Sequence, residues 1–181
     1  ISPRIVAGGS PRRMLELVAG LGEGDMVLAL ISGGASALLL QPAGAITLEE
    51  KQAVNQALLA SGAPIGKMNV VRKHLSRVKG GQLAAAAYPA RMLALMISDV
   101  PGDEPAMIGS GPTVGDASTP ADVQAILERY RIEVPQSVRD VLAGPSGVIP
   151  PGDDRLARVE NVIYAAPSQS LEAAAGIARP E

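Results

Sequence analysis

Three short apolar runs do most to limit what this chain can fold into: Met26 to Ile31, Met92 to Ser98 and Asn161 to Ala165. Each gives way at once to small, polar or glycine-rich residues, the pattern of a buried parallel strand that ends in a loop leading to a helix. A fourth, weaker run covers Arg4 to Ala7. The intervening segments carry helix start signals. Thr47 stands three residues before Glu50, and Thr119 precedes Pro120 and Asp122, so both read as N-caps with capping boxes. Gly62 reads as the end of the first of these helices, and PQSVRDVLAG and SQSLEAAAG read as two more. Strands alternating with helices predict right-handed crossovers and a mostly parallel, helix-covered sheet. The stretch 144–154, GPSGVIPPGDD, reads as a linker or as a long surface excursion within one domain.

At 181 residues the chain has the size of a single α/β domain with a proper core. A net charge of -2 argues against a nucleic-acid or anionic-membrane surface, and three tyrosines with no Phe or Trp argue against base stacking. The absence of cysteine excludes disulfides and thiolate metal sites and fits a cytoplasmic location. The apolar runs fall far short of the ~20 residues a membrane helix needs, and no secretory signal is expected. The chain opens on Ile1 and stops in AAGIARPE, so it is expected to be a fragment cut at both ends.

Ligands in open α/β sheets bind beyond the carboxyl ends of the strands. Two loops lie there. In ISGGASALLL, Ser32, Gly33, Gly34 and Ser36 combine close backbone approach with hydroxyls and helix-start amides, which suit a phosphate or carboxylate. In SDVPGDEPAMIGSGPTVGD, Asp99 and Asp103 follow a strand four residues apart, placed to hold Mg²⁺ or to take a proton from a hydroxyl. Ser110, Gly111 and Thr113 add a second hydroxyl-rich turn. Turn and capping chemistry alone would also use these residue types. GAPIGKM is not a P-loop, because Met68 stands where Ser or Thr must bind Mg²⁺, and no G-x-G-x-x-G follows a strand.

Residues 66–81, GKMNVVRKHLSRVKGG, hold five cations, one histidine and no acid. A helix over 70–79 would place Arg72 and Lys79 on one flank of an apolar stripe of Val71, Leu75 and Val78, with Lys73 and Arg77 facing water. Arg72 and Lys79 are then the anion ligands, and Gly80 and Gly81 break the helix before a fresh N-terminus that offers amides. A lone histidine beside an apolar stripe is more often a satisfied buried residue than a catalyst, which is the reading for His74.

From about Leu30 to Asp122 the chain resembles the amino-terminal region of bacterial MOFRL-type glycerate 2-kinases, some of which have been labelled hydroxypyruvate reductases. The family's S-G-G-G-S falls on Ser32 to Ser36, its V-R-K-H-L-S-x-I-K-G-G on Val71 to Gly81, its S-D-V-x-G-D on Ser98 to Asp103 and its S-G-P-T on Ser110 to Thr113. The resemblance implies ATP-dependent phosphorylation of the 2-hydroxyl of D-glycerate with Mg²⁺. It implies a Rossmann-like three-layer α/β/α domain over 1–181, joined in the complete enzyme to a carboxy-terminal domain across the active-site cleft. On this footing Lys79, Arg72 and Asp99 are the expected catalytic residues and Asp103 the Mg²⁺ ligand, with the two aspartate roles open to exchange. Ser32, Gly33, Gly34, Ser36, Gly80, Gly81, Ser110, Gly111 and Thr113 are the expected substrate- or phosphate-binding residues. Ala35 replaces a glycine of the family loop, which requires a negative φ there. The family's G-x-G-K-A and H-P-x-P-D segments have no counterpart here, so the isolated fragment is expected to be inactive. The alternatives are a hydroxypyruvate reductase or a non-catalytic anion-binding module.

Overall fold

The computed structural model describes residues 10–178. Its centre is a parallel sheet of three strands, β1 (Met26–Ile31), β2 (Arg91–Ile97) and β3 (Val159–Ala165), in the order β1-β2-β3. Met26 pairs with Arg91 and Met92 with Val159, and the second register shifts between Met96 and Ile97. All three expected strands are present, with β3 starting two residues before the apolar run. The candidate strand at Arg4 to Ala7 lies outside the described residues.

Alternation along β2 decides which face is covered. Met92, Ala94 and Met96 are buried. They pack on α1 (Pro11–Val18), on α5 (Gln82–Ala87) and on Ile108 in a short 3₁₀ turn. The alanines of α5 let its backbone lie close to the strands. The other face, with Leu28, Leu30 and Tyr164, stays exposed. Two of the three expected layers, the sheet and one helical layer, therefore lie within the described residues.

A second core belongs to four helices: α3 (Leu48–Ala60), α4 (Ile65–His74), α6 (Pro120–Arg129) and α7 (Gln136–Ala143). Leu58, Val71, Val123 and Val138 sit at its centre, and burying each such side chain stabilises the fold by about 1.5–3 kcal/mol. Both capping boxes form: Thr47 with Glu50 starts α3, and Thr119 with Asp122 starts α6 behind Pro120. This bundle meets the sheet at the loops that follow β1 and β2, where the 3₁₀ turn at Ile108–Ser110 touches both α2 (Ala35–Leu38) and α4. The segment after α7 is docked: Ile149 donates its amide to Gly80 O (3.0 Å) and accepts from Asp116 N (2.8 Å), with Val148 and Ile149 buried. Past β3 the chain forms α8 (Pro167–Ala178).

Candidate active site

The loop after β1 is shaped by an aspartate from the loop after β2. A Cβ on Gly33 would lie 2.8 Å from the Cβ and carboxylate of Asp99, so only glycine allows that approach. Gly34, at φ 77°, caps α2 and donates its amide to Asp99 Oδ2 at 3.0 Å. Ala35 is the first residue of α2, and its φ is negative as required. Ser36, one residue on, turns its hydroxyl towards Ser110, 2.7 Å away. Ser110 is fully buried and held at φ 64° between Gly109 and Gly111, which are also left-handed. A non-glycine residue in that conformation costs of order 1–3 kcal/mol and persists only where its surroundings over-determine it.

The basic segment does not form one helix. α4 stops at His74, and Ser76 turns aside to bridge Pro42. Two forces end it. Arg77 donates its amide to Gln41 O at 3.0 Å, and the Gln82 side-chain amide donates to Ser76 O (2.8 Å) and Lys79 O (2.7 Å), giving these carbonyls partners outside a helix. Arg72 and Lys79 thus share no helical flank, yet both reach the same cavity. Lys73 corrects the expectation of a solvated face: it is buried and pairs with Asp116 at 2.5 Å. Arg77 is exposed, as expected. His74 is buried between the hydroxyls of Ser118 and Ser146, each 3.2 Å from a ring nitrogen, and burial lowers its pKa.

Between the strand-end loops and helices α3 and α4 lies a cavity of about 460 Å³. Six of the expected site residues line it: Gly34, Ser36, Arg72, Lys79, Asp99 and Ser110. The others stand behind it. Gly80 and Gly81, both left-handed, donate their amides to Ser110 O (3.2 Å) and Gly111 O (2.8 Å), so they brace the Ser110 turn. Thr113 ties that turn to β3 by donating to Asn161 Oδ1 at 2.6 Å. A Cβ on Gly111 would lie 2.8 Å from Ala106 O. Ser32 accepts the amide of Ala35 within the β1 turn. Asp103 points to α8, accepting from Ser168 Oγ at 2.9 Å, and is not on the cavity wall.

Positive charge dominates the wall. Lys79 is 2% exposed and donates to Ser36 O (2.7 Å) and Ser36 Oγ (2.6 Å), with Ser110 Oγ at 3.5 Å. Burial, reinforced by Lys51, Arg72 and Lys73, lowers its pKa to about 7. Arg72 donates Nε to Asn55 Oδ1 at 2.7 Å and Nη1 to Asn69 Oδ1 at 3.4 Å, and burial lowers its pKa. Lys51, which sequence reasoning missed, is 7% exposed, hydrogen-bonds among the described residues only to Gln41 O at 3.5 Å and has its pKa lowered to about 8 by burial. None of the three forms an ion pair among the described residues. Among the described residues, Asp99 is the one acid on the wall. A site of this kind can neutralise an oxyanion and hold a hydroxyl beside a carboxylate. No group of three or more histidines, aspartates or glutamates clusters as a metal site among the described residues.

Comparison with known proteins gives this arrangement a family. A profile described as "Domain of unknown function (DUF4147)", the N-terminal domain of MOFRL-type glycerate kinases, matches residues 7–143. The chain belongs to this family. An Agrobacterium vitis protein provisionally named hydroxypyruvate reductase is 54% identical over 92% of this chain and 37% of its own length. A Thermotoga maritima D-glycerate 2-kinase is 51% identical over 71% of this chain and 31% of its own length. The crystal structure of a glycerate kinase from Thermotoga maritima superposes with a TM-score of 0.83 at 42% identity, covering 93% of this chain and 39% of that one. The DUF4147 chain therefore spans about two fifths or less of the relatives it matches. No helix among its described residues is long and apolar enough to cross a membrane.

Proposed function

We propose that a protein carrying this chain phosphorylates the 2-hydroxyl of D-glycerate with ATP, and that the cavity between the strand-end loops and α3–α4 is its active site. The observation that carries this reading is the set of cations, buried Lys51 and Lys79 and half-buried Arg72, without acid partners among the described residues on a wall that also bears Asp99 and two hydroxyls. Phosphoryl transfer demands positioning and charge neutralisation more than covalent chemistry, and the wall supplies both. Asp99 is the group suited to orient or deprotonate the substrate hydroxyl. Lys79, held by Ser36, neutralises charge that develops on the transferred group. Mg²⁺, which neutralises phosphate charge when bound, usually takes one or two carboxylates and leaves its other positions to water and phosphate oxygens. Asp99, the carboxylate on the cavity wall, is the group placed to take that limited role; Asp103, turned to Ser168, is not.

The names of relatives support the kinase reading, and the reductase name borne by the Agrobacterium vitis protein supplies its rival. Two assays on a full-length protein containing this chain separate them. ADP formation that depends on D-glycerate is the expected result. NADH consumption with hydroxypyruvate, without ADP formation, would replace the kinase by a reductase.

A further inference from the structure

The cavity wall carries two chemically different sets of residues. One comprises Lys79, Ser36, Ser110 and Asp99, groups that handle hydroxyls and moving charge. The other belongs to α3 and α4. Lys51 and Asn55 are one helical turn apart on α3, and Asn55 Oδ1 takes the Nε–H of Arg72 from α4 at 2.7 Å. Asn69 Oδ1 takes a second guanidinium hydrogen at 3.4 Å, so two amides aim the Arg72 fork without neutralising it. Lys51 beside them is more than nine-tenths buried, lines the cavity and among the described residues hydrogen-bonds only to the carbonyl of Gln41, at 3.5 Å. Leu58, Val71 and Leu75 line the same cavity.

We propose that Lys51 and Arg72 form the seat for the carboxylate of the hydroxy acid, leaving its hydroxyl to Asp99 and Lys79. This rests on the kinase reading above and adds the orientation of the acceptor. A small carboxylate supplies what the Lys51 and Arg72 set lacks. It offers two oxygens to a forked guanidinium and an ammonium, as bidentate pairs do, and its compact body suits an apolar surround. A lysine without an acid partner among the described residues is costly to bury unless an anion arrives, and a half-buried arginine flanked by neutral amides adds to that demand. The geometry makes Lys51 a residue that selects acids over neutral polyols.

Calorimetric titration of the full-length protein containing this chain with D-glycerate and with its neutral amide, glyceramide, tests the assignment. Lys51→Met should weaken D-glycerate at least about tenfold, the scale of a lost charge-assisted hydrogen bond, and leave glyceramide unchanged. Lys51→Arg should keep most of the affinity, and Lys67→Met, at an exposed position of α4, should behave as wild type. Melting curves check the fold, and Lys51→Met should melt no lower than wild type because it removes an unpaired buried cation. Unchanged D-glycerate binding in Lys51→Met overturns the proposal, as does an equal loss for acid and amide. It is also overturned if wild type fails to bind D-glycerate, or if Lys51→Met weakens ATP in place of the acid, which would make the anion a phosphate. Failure of the kinase reading shows separately, as absent ADP formation by the full-length protein while the Lys51 difference between acid and amide stands.

Discussion

Lys73 and Lys79 lie six residues apart in one basic segment and are equally hidden, at 3% and 2% exposure. Lys73 meets Asp116, whose carboxyl is lowered by its bonds to Lys73 and Ser118 against the opposing effect of burial. Lys79 meets two serine hydroxyls and a carbonyl, and burial lowers its pKa to about 7. The difference separates architecture from poise. A buried charge with its counter-charge fastens the α4 end to the loop before α6. On the proposed function, a buried charge without one holds a place for a charge that comes from outside the protein.

The sharpest way to break this distinction is to remove each ammonium in turn. In a full-length protein containing this chain, Lys79→Met should lower D-glycerate-dependent ADP formation by about 10²–10³-fold, the range for losing one preorganised charge-stabilising donor. Its melting temperature should hold or rise, since an unpaired buried cation is lost. A collapse in melting temperature would make Lys79 a second structural lysine. Lys73→Met should do the reverse, destabilising the chain by about 3 kcal/mol in urea titrations because Asp116 is left without its cation. Lys73→Met with stability intact would show that Asp116 and Ser118 hold the loop unaided.

Acidity offers a third probe. The pKa values of Lys79 and Lys51 fall to about 7 and about 8 in the folded chain, from an ordinary value of 10.5. Between those folded values and 10.5 the unfolded chain binds more protons, so the ligand-free protein should gain stability as pH rises through that window. Below about 7 both states carry the proton and the penalty is fully present. The slope should not exceed about 1.4 kcal/mol per pH unit per lysine. Urea titrations in buffers free of phosphate and carboxylate measure it. Lys79→Met should delete the part that begins near 7 and leave the part that begins near 8. A flat profile in wild type would mean that water or counter-ions already compensate both lysines.

Much of the frame was legible because it rests on local rules. Apolar runs marked β1, β2 and β3, and Thr47 and Thr119 announced their helices through capping boxes that need only neighbours in sequence. The strand-end rule led to the Asp99 and Ser36 loops, both of which line the cavity. Long-range pairing set the rest. The period that placed Lys73 in water took no account of Asp116, 43 residues away, and the helix drawn through Lys79 ignored Gln41 and Gln82, which draw residues 75–79 out of it. Lys51 left a signal that went unused. It shares an i, i+3, i+4, i+7 stripe with Val54, Asn55 and Leu58, so a cation and an amide stood on the core side of α3. The family resemblance brought in the chemistry, but it could not tell Asp99 on the wall from Asp103 beside α8.

Arg77 sets the smallest effect and the finest test. It lies between Lys73 and Lys79 in sequence and carries the same charge, but it is exposed. If the segment acted on ligands through its summed field, Arg77→Met would weaken activity roughly as Lys79→Met does. A screened surface charge has little reach beyond ~10 Å at ordinary ionic strength, whereas Lys79 acts from inside a cavity where screening is poor. Arg77→Met should therefore shift stability by under about 0.5 kcal/mol and leave ADP formation within about twofold, a limit that corresponds to about 0.4 kcal/mol of barrier. Repeating the assay from low to moderate salt decides between the two origins. An Arg77 effect that appears only at low salt is long-range attraction of the anion, while one that survives salt would place the guanidinium in the site and remove exposure as the criterion that divides these cations.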